Sequence, residues 1–304
     1  MDEPLDCLII SGGPAGLTAA TYLARFHLKL KLVDAGKSRA AMIPCTHNHA
    51  GFPNGISGSN LIARMKEQAQ LYGAVIEDGF VSRIESGDGG FVAEWGCGPI
   101  AAKTILLATG VSNRRPTMDE AAHDAALATG LIRYCPICDG YEVTDKPVAV
   151  IGSGEKGAAE VLFLRAFTAD LTLFAPDGLH ELCGEERAML SEAGIAIVDG
   201  PVEAIEPGSD SIALVAAGKR REFASLYPAL GSDTHTQLAE MLGARLNETG
   251  CIGVDAHQRT SVPGLYAAGD VVIGLDQISH AMGDGGVAAT TIRNDLAKES
   301  PLWR

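Results

Sequence analysis

The sequence predicts an α/β chain of two Rossmann-like nucleotide-binding domains, the second inserted into the first. Three observations carry that prediction. An apolar run, Cys7-Leu8-Ile9-Ile10, leads into Ser11-Gly12-Gly13-Pro14-Ala15-Gly16 and then Leu17-Thr18-Ala19-Ala20: a strand, a glycine turn and a helix. The construction returns in mid-chain, where Val148-Ala149-Val150-Ile151 runs into Gly152-Ser153-Gly154-Glu155-Lys156-Gly157. The tail then goes back to strand, turn and helix, through Gly264 to Ala268, Gly269-Asp270 and a helix from roughly Gln277 to Leu296. A nucleotide-type fold that opens the chain, gives way to a second and resumes at the end is a discontinuous domain with an insertion. The expected boundaries lie near Pro116 and Gly243, giving 1–116 with 244–304 as one domain and 117–243 as the other.

Each glycine turn has a physical purpose. A strand that ends in small residues and turns straight into a helix leaves backbone N–H groups exposed at the helix N-terminus, where a pyrophosphate can sit. One such fingerprint is a weak signal, because many ordinary βα turns are glycine-rich; two in one chain are much stronger. In the first, Gly12, Gly13, Pro14, Ala15 and Gly16 are the candidate cofactor-binding residues. Ser11 stands where the G-x-G-x-x-G pattern has its first glycine, and Gly12 is expected to supply the tight turn instead. Leu30-Lys31-Leu32-Val33 then leads to Asp34, 18 residues past Gly16, where a carboxylate can accept from an adenosine ribose.

Between the fingerprints lies Cys135-Pro136-Ile137-Cys138-Asp139-Gly140. Two thiols two residues apart can close and reopen a disulfide if one is an accessible thiolate and the other resolves the mixed disulfide. The same spacing is half of a zinc site, but no second Cys or His pair at matching spacing follows, so redox is the preferred reading and no metal is expected. Asp139 is placed to shuttle protons as the sulfurs change charge, with a plain turn aspartate as the alternative. In the second fingerprint Gly152, Gly154 and Gly157 are candidates for a pyridine dinucleotide. Its second strand, Leu171-Thr172-Leu173-Phe174, ends in Ala175, again 18 residues past the last glycine. Alanine can bond neither a ribose hydroxyl nor a 2′-phosphate, Asp177 follows, and the next arginine is Arg187.

Composition narrows the function classes. The 304 residues exceed a usual single core. A net charge of −14 argues against nucleic acid or an anionic membrane as partner. No apolar run approaches the ~18 residues of a membrane span. The acidic start, Met1-Asp2-Glu3-Pro4, runs directly into the first strand, so no secretory signal and a cytoplasmic location are expected. Seven cysteines fit one active pair plus reduced thiols; Cys7, Cys45, Cys97, Cys183 and Cys251 read as packing or surface residues. No Ser/His/Asp arrangement points to hydrolysis.

These motifs, with Asn48-His49-Ala50-Gly51-Phe52-Pro53-Asn54-Gly55-Ile56-Ser57-Gly58, Ala108-Thr109-Gly110, Pro263 to Asp270, Gln277 and Gly283 to Ala289, resemble the low-molecular-weight thioredoxin reductase family over nearly the whole chain. The resemblance implies an FAD domain in two pieces and an inserted domain bearing the dithiol. It implies flavin-site roles for Asp270, Gln277, Asn48, Thr109 and Gly110, with Asp270 on the ribityl or pyrophosphate part of FAD and Gln277 against the pyrimidine ring. It also implies a homodimer. His280, just after Gln277, reads as a flavin or subunit contact or as a packing histidine. The family's arginines at the end of the second domain's second strand are replaced by Phe174-Ala175-Pro176-Asp177, and its arginine before the glutamine is Asp276.

The implied activity is two-electron transfer between FAD and Cys135–Cys138, then exchange with a thioredoxin-like protein or a small disulfide or dithiol. Cys138 is the better candidate for the sulfur nearest the flavin and Cys135 for the one that meets substrate. Whether NADPH or NADH feeds the flavin stays open, as do three other readings. These are a relative fed by another donor such as ferredoxin, an oxygen-dependent dithiol oxidase, and a flavin-binding redox sensor.

Overall fold

The computed structural model describes residues 3–87 and 89–303. Met1 and Asp2, part of the acidic start read above as lacking a secretory signal, lie outside the described residues. Along the chain, β1 (Leu5–Ile10), α1 (Pro14–Arg25) and β2 (Leu30–Asp34) are followed by α2 (Gly58–Leu71), β3 (Val75–Asp78), β4 (Val81–Gly87), β5 (Gly90–Trp95), β6 (Gly98–Leu107) and β7 (Val111–Asn113). Next come α3 (Glu120–Ala128), α4 (Pro136–Asp139), β8 (Val148–Ile151), α5 (Gly154–Leu164), β9 (Leu171–Phe174), α6 (Gly184–Glu192) and β10 (Ala196–Val198). Then follow β11 (Val202–Pro207), β12 (Ile212–Ala216), β13 (Lys219–Phe223), β14 (Ser225–Pro228) and β15 (Ser232–Thr234). The chain ends with α7 (Gln237–Met241), β16 (Leu265–Ala267) and α8 (Ile278–Glu299).

Contacts divide the chain into two compact units: Met1–Met42, Ser57–Ser112 and Thr234–Arg304 form the first, Ile43–Ile56 and Asn113–Asp233 the second. The first unit is a seven-stranded sheet in the order β3-β2-β1-β6-β5-β4, with β16 on β6. β3, β2, β1, β6 and β16 run parallel, and β5 and β4 continue antiparallel on the other half of β6. The parallel part has to be apolar on both faces because helices cover it. Accordingly Cys7 through Ile10 and Ile105 through Leu107 are all buried. The second unit holds a parallel four-stranded sheet, β10-β9-β8-β14, and a three-stranded antiparallel sheet, β11-β12-β13. Val148 to Ile151 and Leu171 to Phe174, the two runs picked out as strands, are buried throughout.

Two places differ from the sequence reading. The return to the first unit comes at Asp233–Thr234, ahead of residue 244, because Leu238, Ala239 and Ala244 pack into the first unit's core with Val81, Ile84 and Ile252. The 43–56 segment, read as part of the first domain, packs with the second unit. No helix among the described residues is long and apolar enough to cross a membrane.

Candidate functional site

The first fingerprint folds as the strand, turn and helix expected of it, but the tight turn is made by another residue than the one expected. Ser11 itself takes φ +91°, and Gly12 stays outside the left-handed region. Gly12 is required for a different reason: a Cβ there would stand 2.5 Å from Asp34 Oδ2. The carboxylate of Asp34 accepts from the Gly12 N–H at 3.0 Å and the Gly36 N–H at 3.2 Å, so Oδ1 is held on the glycine turn. α1 begins with Gly13 as N-cap and Pro14 at its first position, with no acidic residue in its first turn. Its own first turn therefore supplies no carboxylate to its N-terminal N–H groups or to the positive end of its dipole.

The distant tail joins this turn. A Cβ on Gly269 would stand 2.9 Å from the Ala15 Cβ, and one on Gly285 would run into the Ala15 carbonyl. Small residues thus let α8 and the Gly269-Asp270 turn lie against the start of α1. Asp270 is four-fifths buried and accepts from Arg39 Nη1 at 3.2 Å, while the same nitrogen donates to Asp276 Oδ2 at 2.9 Å. Burial, then the neighbouring Asp276, raise the Asp270 carboxyl above its ordinary range, against the pull of Arg39. Gln277 is the N-cap of α8 and its side-chain amide donates to the Asp276 carbonyl. Thr109 follows β6 and donates to the His235 carbonyl at 2.7 Å, and Gly110 has φ +61°. Gly12 to Gly16, Asp34, Thr109, Gly110, Asp270 and Gln277 all belong to the first unit. Asn48 does not. It packs with the second unit, where its amide donates to the Ile137 carbonyl at 3.3 Å. His280 pairs with Asp284 at 3.5 Å, one turn along α8.

In the second unit Cys135 and Cys138 are joined by a disulfide. Cys135 is the N-cap of α4, Pro136 occupies the first helical position, and the Cys138 N–H points at Cys135 Sγ at 3.2 Å. A donor aimed at that sulfur favours the thiolate once the bond opens. Asp139 is fixed on both oxygens: Arg133 Nη1 donates to Oδ2 at 3.1 Å and the fully buried Tyr227 hydroxyl donates to Oδ1 at 2.8 Å. Desolvation raises the Asp139 carboxyl, with Arg133 and Tyr227 opposing. Glu160, on the helix packed against α4, is pushed up to about 7 by burial and by the Asp139 charge, and its Oε1 is buried without a hydrogen-bond partner. None of Arg133, in the loop before the dithiol, Tyr227, in β14, or Glu160, in α5, was legible as a site residue, since only the fold brings each of them to Asp139.

The second fingerprint keeps the backbone of a glycine turn. Gly154 has φ +59°, and a Cβ on Gly157 would stand 2.7 Å from the Gly152 carbonyl carbon. The Ser153 hydroxyl, however, accepts from the Glu181 N–H at 2.7 Å, so the loop after β9 is tied to the turn. Buried His180 anchors that loop through Nε2, 3.0 Å from the Val198 carbonyl. Ala175 is buried. Arg187 donates to the His180 carbonyl at 3.3 Å and Arg165 to the Ala193 carbonyl at 2.9 Å.

The family described as pyridine nucleotide-disulphide oxidoreductase matches residues 5–285. The thioredoxin reductase of Treponema pallidum is 32% identical over 300 residues, covering 95% of this chain and 96% of that one. That of Peptoclostridium litorale is 30% identical, with the same 95% and 96% covered. The solved thioredoxin reductase of Streptococcus pyogenes superposes with a TM-score of 0.89 at 25% identity, covering 98% of this chain and 100% of the other. These likenesses favour neither a ferredoxin-fed relative nor a dithiol oxidase, nor a sensor without catalysis. The chain belongs to the pyridine nucleotide-disulphide oxidoreductases, in the low-molecular-weight thioredoxin reductase family, and is a flavoprotein disulfide oxidoreductase.

Proposed function

We propose that this chain reduces the disulfide of a thioredoxin-like protein through its own Cys135–Cys138 pair. It would work as a cytoplasmic homodimer with one FAD in each first unit. The observation that carries the reading is the closed Cys135–Cys138 disulfide beside an Asp139 pinned by Arg133 and Tyr227. The first unit would be the FAD domain. Gly12 to Gly16 would present backbone N–H groups to the pyrophosphate, Asp34 the ribose, and Asp270, Gln277, Thr109 and Gly110 the rest of the cofactor. The fit is supported by the start of α1, whose first turn carries no acidic residue, and by the buried Asp270 carboxyl. Bound FAD supplies a two-electron carrier between the nicotinamide donor and the disulfide.

When the Cys135–Cys138 bond accepts two electrons, both sulfurs become thiolates, so one has to take a proton and the other has to keep its charge beside a donor. The Cys138 N–H supports charge on Cys135 Sγ, which makes Cys135 the sulfur for exchange with the substrate and leaves Cys138 to receive electrons. Asp139, already held above the ordinary carboxylate range, can take and give the proton. Two measurements on the yellow holoprotein test this. Cys135→Ser and Cys138→Ser should each abolish reduction of a thioredoxin disulfide while leaving the flavin spectrum in place. Retained turnover in both variants would mean that the pair is structural.

The second fingerprint supports a nucleotide site with little preference for NADPH over NADH. A 2′-phosphate needs a paired cation, and neither Ala175 nor Asp177 is one. Arg187 and Arg165, the nearest arginines in sequence, are engaged with backbone carbonyls. Each missing charge-assisted hydrogen bond is worth roughly 1.5–3 kcal/mol, or about tenfold or more in affinity. Stopped-flow reduction by micromolar NADPH that is fast, and at least tenfold better than by NADH, would overturn this reading.

A further inference from the structure

The 43–56 segment carries a second constellation built on a thiol. Cys45 is exposed, and its Sγ lies 3.5 Å from His47 Nε2. His47 Nδ1 in turn lies 2.8 Å from Glu142 Oε1. A carboxylate on Nδ1 holds the neutral imidazole in the tautomer protonated there, so Nε2 is left to accept the thiol proton. Nucleophile, base and orienting acid in that sequence is the arrangement that activates a cysteine. The backbone is shaped around the pair. Gly55 has φ +72°, and a Cβ there would stand 2.5 Å from Cys45 Sγ and 2.7 Å from His47 Cδ2. The ends of the segment are clasped by the Thr46 N–H to the Ile56 carbonyl at 2.9 Å and the return bond at 3.1 Å. The remaining charges close by are Asp139, which feels Glu142, with Arg133 paired to it, and Lys146, whose ammonium donates to the Glu142 carbonyl. Cys97 is also exposed but has no such partner among the contacts given for the described residues.

We propose that Cys45 is a second reactive thiol, outside the Cys135–Cys138 pair, and forms mixed disulfides with low-molecular-weight disulfides. His47 Nε2 takes the Cys45 proton and the thiolate attacks one sulfur of the small disulfide. The Cys45–sulfur bond forms as the small molecule's S–S bond breaks, and the departing thiolate takes the proton back from His47. The proton and both electrons of the broken bond leave with the released thiol, so no other oxidant is needed.

The test uses the full chain with Cys135–Cys138 oxidised and 2-hydroxyethyl disulfide as probe, with modification of each free cysteine followed by peptide mass mapping. An unactivated thiol of pKa ~8.5 is only about 1% thiolate at pH 6.5. Cys45 should therefore react at least about tenfold faster than Cys97 at that pH, and its rate should climb less steeply between pH 5.5 and 8.5. In His47→Asn the Cys45 rate should fall to within about twofold of Cys97, and in Glu142→Gln it should fall in the same direction. Reaction of buried Cys7 would reveal a variant that has unfolded, and the comparison of Cys45 with Cys97 in the unaltered chain then decides. Equal rates and parallel pH profiles for those two cysteines would overturn the proposal, as would an unchanged Cys45 rate in folded His47→Asn.

Discussion

Glu160→Gln should make the protein more stable at pH 8 and remove a pH dependence that the wild type shows. The Glu160 carboxyl rises from 4.5 to about 7 on folding, first through desolvation and then through the charge on Asp139. A group whose folded pKa is raised favours the folded state below its unfolded pKa. That favour is lost as pH climbs through the folded value. At 1.36 kcal/mol per unit, the rise of about 2.5 units sets an upper bound of about 3.4 kcal/mol, lost between roughly pH 4.5 and 7. Glutamine keeps the volume and carries no charge, so its stability should stay flat over that window, minus the cost of a buried amide short of partners. Urea unfolding of the oxidised holoprotein at pH 5, 6, 7 and 8 reads this directly. Wild type should lose about 2–3 kcal/mol more than the variant across the series. Parallel curves for the two proteins would refute the reasoning and place an ionised, well-partnered Glu160 in the fold.

Ser11→Gly should stabilise the first unit by about 0.5–1 kcal/mol, because glycine adopts φ +91° without the roughly 1–2 kcal/mol that serine meets there, less the extra entropy of the unfolded chain; a variant with a lower melting temperature would show that the serine hydroxyl matters more. Asp34→Ala should weaken FAD retention by about tenfold or more, as the Gly12 and Gly36 N–H groups lose their acceptor, and an unchanged dissociation constant by flavin fluorescence would contradict the site. Asp139→Asn should keep the flavin bound but slow disulfide turnover about 100-fold or more, and a turnover within a few-fold of wild type would remove Asp139 from proton transfer.

What was legible in the sequence was local. Cys7 to Ile10, Val148 to Ile151 and Leu171 to Phe174 announce themselves as buried strands because a parallel strand covered on both faces is apolar at every position. The dithiol likewise lies within one six-residue motif. What was not legible depends on partners far apart in the chain. Arg39 reaches Asp270 and Asp276 across more than 200 residues, and Tyr227 reaches Asp139 across 88. No periodicity or spacing encodes such pairs. The 43–56 segment shows the same limit, since its attachment to the second unit rests on His47 to Glu142 and Asn48 to Ile137. The Ser11 turn fails for a different reason. Composition ranked Gly12 as the residue able to bear a positive φ, but the backbone needed that conformation one position earlier, and Gly12 was needed for room against Asp34.

The charge balance around the dithiol constrains its chemistry further. Three carboxyls, Asp139, Glu142 and Glu160, share the neighbourhood with one guanidinium, Arg133, and the imidazole of His47. Opening the disulfide adds negative charge to a place already rich in it, so electrons should arrive together with protons. Burial raises both Asp139 and Glu160 above the ordinary carboxylate range, Glu160 to about 7, so these are the two groups it has made readier to take a proton. The Cys138 N–H is aimed at Cys135 Sγ, so that sulfur is favoured to keep the charge that remains after proton uptake. A nucleophile at Cys135 and a protonated Cys138 is then the reduced state that this arrangement favours, and it is the state from which exchange with an outside disulfide can begin.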